Sequence, residues 1–235
     1  MIEIIQAHDR HFNDFGWLQT YWLFSFGDYY DPANMRHGAL RVFNDDIVQP
    51  QQGFPKHPHE EMEIISIVLS GTMRHEDTMG NVTVIRPGDV QRMTAGTGLF
   101  HSEGNDSDQP VHFLQIWVQP DTSRLSPSYD QKNFAAEIWQ NRLALLASNH
   151  PGPGIVTLNT DASLYRAVLT ENKSLTSTTS RDRHLFLYLI AGKAMVNSRI
   201  MSAGDQARIK DEEQLTISGA ENADLILIDV PLNLK

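Results

Sequence analysis

The chain has 235 residues, is 40% hydrophobic, and fits one large domain or two of about 100–120 residues each. No stretch is long and apolar enough to span a membrane, and the opening MIEIIQAHDRHF carries Glu3, His8 and Asp9 where a leader would need an apolar run. Nineteen basic against twenty-nine acidic residues leave a net charge of −10 with no Lys/Arg cluster, which argues against direct nucleic-acid contact; the absence of cysteine excludes disulfides, thiolate metal sites and thiol catalysis, and suits a reducing cytoplasm.

Nine of the twenty aromatic residues fall between Phe12 and Tyr30. That density reads as core packing, with some rings left to line the mouth of a site. The apolar run ALRVF (39–43) predicts a strand, and the polar trio Asn44, Asp45 and Asp46 after it reads as a turn. IISIVL (64–69), VTVI (82–85) and VHFLQIWV (111–118) predict further strands, separated by Gly71, Gly80, Pro87-Gly88, Gly96, Gly98 and Pro110. Residues 121–140 are strand-poor and read as a connector, with a short helix within AAEIWQN. Strand patterns then return in LALLAS (143–148), IVTLNT (155–160), LYRAVLT (164–170), HLFLYLIAG (184–192), QARI (206–209), QLTIS (214–218) and LILIDV (225–230). The chain is therefore expected to be all-β, with tandem domains at 1–120 and 141–235, each a sandwich or barrel.

The two halves resemble each other. IVLSG ending at Gly71 matches YLIAG ending at Gly192, and the PGD turn at 87–89 matches AGD at 203–205. Both pairs place a strand ending in glycine before a Gly-Asp turn, the mark of a duplicated unit.

The most polar cluster of the first half stands at the entrance of an apolar strand, in 53-GFPKHPHEEMEIISIVLSG-71. A strand sends residues i and i+2 to one face, so His57 and His59 share a face and Glu63 keeps their parity. Pro58 holds His57 extended. In 96-GTGLFHSEGN-105, His101 and Glu103 repeat the i, i+2 spacing behind two glycines. On neighbouring strands the two pairs would aim three imidazoles and a carboxylate at one point, a donor set suited to Fe, Mn, Ni, Cu or Zn. Glu60 and Glu61 crowd the strand entrance and read as solvated. His75 reads as a polar neighbour beside a hairpin turn. His8, His11, His37, His112, His150 and His184 have no partner at ligand spacing.

H-x-H-x₃-E over 57–63 and G-x₂-H-x₃-N over 98–105 resemble the two motifs of the cupins, small β-barrels that hold a metal. With HPH, 94-TAGTGLFHSE-103, the aromatic lead 16-GWLQTYWLFSFGDYYDP-32 and 40-LRVFNDD-46, the chain more closely resembles the pirin family, near its bacterial members with quercetin dioxygenase activity. The resemblance is strong from residue 15 to about 120 and general beyond. It implies a bicupin with one metal, commonly iron(II) although zinc, manganese, nickel, copper or cadmium could replace it, held by His57, His59, His101 and Glu103. Glu63 would be an outer or fallback ligand, and Glu103 a candidate proton acceptor. It further implies a flavonol such as quercetin and dioxygen as substrates; the alternatives are a redox-sensing protein acting through a protein partner, or an enzyme acting on another phenolic metabolite. Transposed by the internal repeat, the places of His57, His59 and Glu63 are held by Thr178, Ser180 and His184, and those of His101 and Glu103 by Ile217 and Gly219. The second half keeps the frame without the ligands.

Overall fold

A computed structural model describes residues 1–150 and 152–232, which form twenty-two strands and two short 3-10 helices. One seven-stranded sheet runs in the order Ser128–Asn133, Asp89–Thr94, Glu63–Ser70, Val111–Val118, Leu40–Val48, Leu18–Trp22, His11–Asp14. It faces a four-stranded sheet ordered Gln52–His59, Leu99–Asn105, Met73–Asp77, Val82–Ile85. The second half repeats this plan. Its seven-stranded sheet begins Ile2–Ile5, Gln206–Ile209, Arg183–Ala191, Ala223–Pro231, and its four-stranded sheet begins Ser174–Thr178, Gln214–Gly219. Each half is a two-sheet jelly-roll sandwich rather than a closed barrel. The tandem cupin architecture stands.

The apolar strands read as continuous because both of their faces are buried. In Glu63–Ser70, Ile64 packs with Met93 and Leu99 inside the first sandwich, whereas Ile65 and Ile67 join the largest core cluster. In Arg183–Ala191, Leu185, Leu187 and Leu189 fill the second sandwich, whereas Phe186 and Tyr188 join that same large cluster. The two seven-stranded sheets therefore pack back to back. At their contact Phe43 lies 5.0 Å from Phe186 and 4.9 Å from Tyr188, ring centre to ring centre.

Three sequence expectations change. Residues 121–140 include the strand Ser128–Asn133, which pairs with Asp89–Thr94 at the edge of the first large sheet; its polar side chains (Asp130, Gln131, Lys132) hid it. Ile2–Ile5 pairs in turn with Gln206–Ile209 of the second half, so each half receives an edge strand from the segment leading into the other. The helix expected within 135–141 is a single 3-10 turn, Ala136–Trp139. Asn44, Asp45 and Asp46 are not a turn: they continue the strand Leu40–Val48. The outward Asp45 accepts hydrogen bonds from His112 Nε2 (2.6 Å) and from the Tyr188 hydroxyl of the second half, partners that local sequence cannot display.

The internal repeat has a geometric basis. Gly71 and Gly192 adopt φ of 76° and 79°, and a Cβ would come 2.6 Å from Pro110 O at the first and 1.6 Å from Asn222 O at the second. Only glycine fits either strand end. In the paired turns, Asp89 Oδ2 accepts the Arg86 N–H and Asp205 Oδ2 the Ser202 N–H, each at 2.8 Å.

His37 and His184, without a role in the sequence reading, stack with ring centres 4.5 Å apart, and the His37 Nε2–H donates to Leu185 O at 3.0 Å. Burial, reinforced by His184, pushes His37 down to about 3, and burial also lowers His184. The unfolded chain therefore binds protons below pH 6.5 that the folded chain refuses, and stability is lost as pH falls through that value. By pH 5 the loss from His37 alone is about 2 kcal/mol. In thermal melts, the drop in Tm between pH 7.5 and pH 5 is expected to be smaller for His37→Gln than for the unaltered protein. Equal drops would remove the pair from the pH response.

Candidate metal centre

Leu99–Asn105 is an inner strand of the first small sheet, between Gln52–His59 and Met73–Asp77. His101 pairs with His57 on one side and Asp77 on the other; a register shift separates it from Glu103, which pairs with Phe54 and His75. The two i, i+2 pairs thus lie on neighbouring strands. The rings of His57, His59 and His101 stand 4.4 to 4.8 Å apart, centre to centre, and one ligand atom from each lies within 4.8 Å of the other two. Glu103 joins through His101: its carboxylate, His101 and His75 form a second group within the same distance.

The centre is prepared for a cation. His57 donates Nδ1–H to Pro55 O at 2.8 Å, which fixes the tautomer and leaves the Nε2 lone pair free. Burial first, then the neighbouring imidazoles, pushes His59 down to about 4 and His101 to about 3, so both rings are neutral at pH 7. His101 is 1% exposed, yet neither of its ring nitrogens has a hydrogen-bond partner. A buried imidazole with two unpaired nitrogens is costly unless something binds it. Glu103 Oε2 accepts from Gln115 Nε2 at 2.7 Å and Oε1 from the Ser66 hydroxyl at 3.3 Å, so the facing large sheet aims the carboxylate. Neutral imidazoles, an aimed carboxylate and unpaired buried nitrogens fit a divalent transition metal.

Glu63 is elsewhere. The backbone at Glu61 turns to φ 48°, so the extended run breaks before Glu63 and parity no longer places it beside the histidines. Its carboxylate instead accepts the Asn159 N–H of the second half at 3.0 Å and lies 4.0 Å from Arg92 Nε. Glu60 is exposed as expected, whereas Glu61 is half-buried and accepts the Arg124 N–H at 2.9 Å. His75 is more than a polar neighbour. It is fully buried, donates Nε2–H to Asp77 Oδ2 at 3.0 Å, and has an unpaired Nδ1. Its signal in the sequence was the H-x-D spacing of 75 and 77, which puts both on one face. Among the described residues, every group of three potential ligands lies in the first half.

A cavity of about 290 Å³ opens against the ligands, between the two sheets of the first half. His57, His59 and Glu103 border it, with Trp22, Phe26, Phe54 and Trp117 supplying much of the apolar wall. Trp22 and Phe26 come from the aromatic lead, while Phe24 is buried core and Phe12, Phe15 and Tyr30 are exposed. Trp117 stands edge-on to His59, 4.9 Å between ring centres. Asn44 and Asp46 also border the cavity, and burial pushes the Asp46 carboxyl up to about 8.

Residues 6–118 match the family model Pirin, and residues 145–230 match the model of the quercetinase C-terminal cupin domain. Over 232 residues the chain is 35% identical to the quercetin 2,3-dioxygenase of Escherichia coli strain K12, covering 98% of this chain and 99% of that protein. It is 40% identical over 217 residues to a pirin-like protein of Caulobacter vibrioides, covering 92% and 94%. Among solved structures, a bacterial pirin of Escherichia coli in complex with nickel(II) superposes with a TM-score of 0.93 at 35% identity, covering 98% and 99% of the two chains.

Proposed function

The chain belongs to the pirin family, and from that premise we propose that it is a metal-dependent quercetin 2,3-dioxygenase. His57, His59, His101 and Glu103 hold one divalent metal, and the carrying observation is the buried His101 ring with two unpaired nitrogens, grouped with His57 and His59, which border a mainly apolar cavity. We assign iron(II), because three imidazoles and a carboxylate suit it and it reacts with dioxygen. The chain has no cysteine, and among the described residues no helix is long and apolar enough to cross a membrane.

The bound metal supplies Lewis acidity, lowering the pKa of the flavonol 3-hydroxyl. Glu103 accepts that proton. Its two oxygens each take one hydrogen bond from Ser66 and Gln115, which leaves lone pairs free. Trp22, Phe26 and Trp117 hold the flat ring system and keep water away from the electron-rich anion. Dioxygen then opens the central ring: both of its atoms enter the products, and one ring carbon leaves as carbon monoxide. Metal-loaded protein is expected to consume one dioxygen and release one carbon monoxide per quercetin bleached, followed by absorbance, oxygen electrode and gas analysis of one sample. If fully loaded protein bleaches no flavonol and releases no carbon monoxide, the enzyme reading fails, and metal-dependent binding of a protein partner replaces it.

A further inference from the structure

Polar side chains enter the mainly apolar cavity from two sides. The small sheet presents the histidines; the large sheet, facing it, presents Asn44 and Asp46 at i, i+2 on the strand Leu40–Val48. Asn44 is 3% and Asp46 2% exposed, and neither Asn44 Oδ1 nor Asp46 Oδ1 has a hydrogen-bond partner. The Thr20 hydroxyl stands opposite Asp46 on the adjacent strand, close enough to act on its carboxyl against the effect of burial. An unsatisfied buried oxygen costs about 1–3 kcal/mol, so two on one wall of a ligand cavity call for a ligand that satisfies them. Trp22 and Gln115 flank Asn44 on the two neighbouring strands, Thr20 and Phe113 flank Asp46, and Phe54 lines the cavity from the other sheet.

We propose that Asn44 and Asp46 are the specificity wall of the site, bonding hydroxyl groups that a polyhydroxylated flavonol carries on rings remote from the reacting 3-hydroxyl. This rests on the flavonol reading above and deepens it. Asp46 Oδ1 and Asn44 Oδ1 each offer an unpaired acceptor, so the hydroxyl groups that donate to them are matched. A flavonol with no hydroxyl other than the reacting one leaves the wall unpaired and is disfavoured, because sites built to bond a hydroxyl reject analogues that lack it.

The test compares quercetin with 3-hydroxyflavone in the metal-loaded protein, by kcat/KM in air and by Kd without oxygen, each variant being checked for wild-type metal content. Asp46→Leu and Asn44→Leu are expected to lower kcat/KM for quercetin by roughly 10–100-fold and raise its Kd in step. For 3-hydroxyflavone neither parameter worsens and both can improve as the unpaired wall is removed, so the ratio between the two flavonols falls in every case. Asp46→Asn, which keeps an acceptor oxygen in the same shape, restores most of the quercetin preference. Equal losses for both flavonols, or no loss for quercetin, would overturn the proposal. Should the unaltered protein turn over neither compound, the dioxygenase reading fails, while the ratio of anaerobic Kd values still decides whether this wall reads hydroxyls.

Discussion

His101→Ala is expected to empty the metal site and abolish quercetin turnover. His101 belongs to both groups of potential ligand atoms, so its removal leaves His57 and His59 without their link to Glu103. The fall in metal affinity should exceed the roughly 10–100-fold that losing an outer-shell partner costs. Elemental analysis after dialysis reports it directly, with about one metal per chain in the unaltered protein. The metal-free variant should still fold, because neither nitrogen of His101 anchors another side chain. A full metal equivalent in the folded variant would show that the centre lies elsewhere. Glu103→Gln separates ligand from base: an amide oxygen coordinates weakly but cannot take a proton, so turnover should fall further than metal content. Parallel losses would leave Glu103 as a ligand only.

Phe186→Ala is expected to cost about 3–5 kcal/mol of stability, as truncation of a fully buried phenylalanine does in a core that cannot collapse. Phe186 is 0% exposed and lies 5.7 Å from Phe24 and 5.0 Å from Phe43, the last being a rung of the sheet that carries Asn44 and Asp46. It belongs to the second half but packs against the first, so its loss should destabilise both sandwiches together. Urea unfolding followed by near- and far-ultraviolet circular dichroism would show this as a lower midpoint in one shared transition. A transition that splits, with the first half unmoved, would show that the back-to-back contact does not couple the halves. The proposed metal ligands lie on the opposite sheet of the first half, so the variant that remains folded should keep its metal.

Features fixed by local spacing were legible in the sequence, because backbone geometry enforces them. The two-residue period of a strand puts His57 with His59 and His101 with Glu103 whatever surrounds them. Glycines at strand ends whose φ is positive, Gly71 and Gly192, exposed the repeat, since other residues are strained there. The same period misled where a break intervened: the φ of 48° at Glu61 re-aims the chain, and Glu63 leaves the small sheet for the large one. Tertiary structure alone decided what long-range partners make possible. Asn44, Asp45 and Asp46 look like a turn by polarity, yet they form a strand because Asp45 finds His112 and Tyr188 while Asn44 and Asp46 find a cavity. His37 and His184 lie far apart in the chain, and only the packing of the halves stacks them. The exchange of Ile2–Ile5 and Ser128–Asn133 is of the same kind, since a sheet edge accepts any strand whose backbone groups are unpaired and whose path reaches it. The proposed ligand set was thus local information; the cavity beside it arose from contacts between residues distant in sequence, where pattern carries no distance.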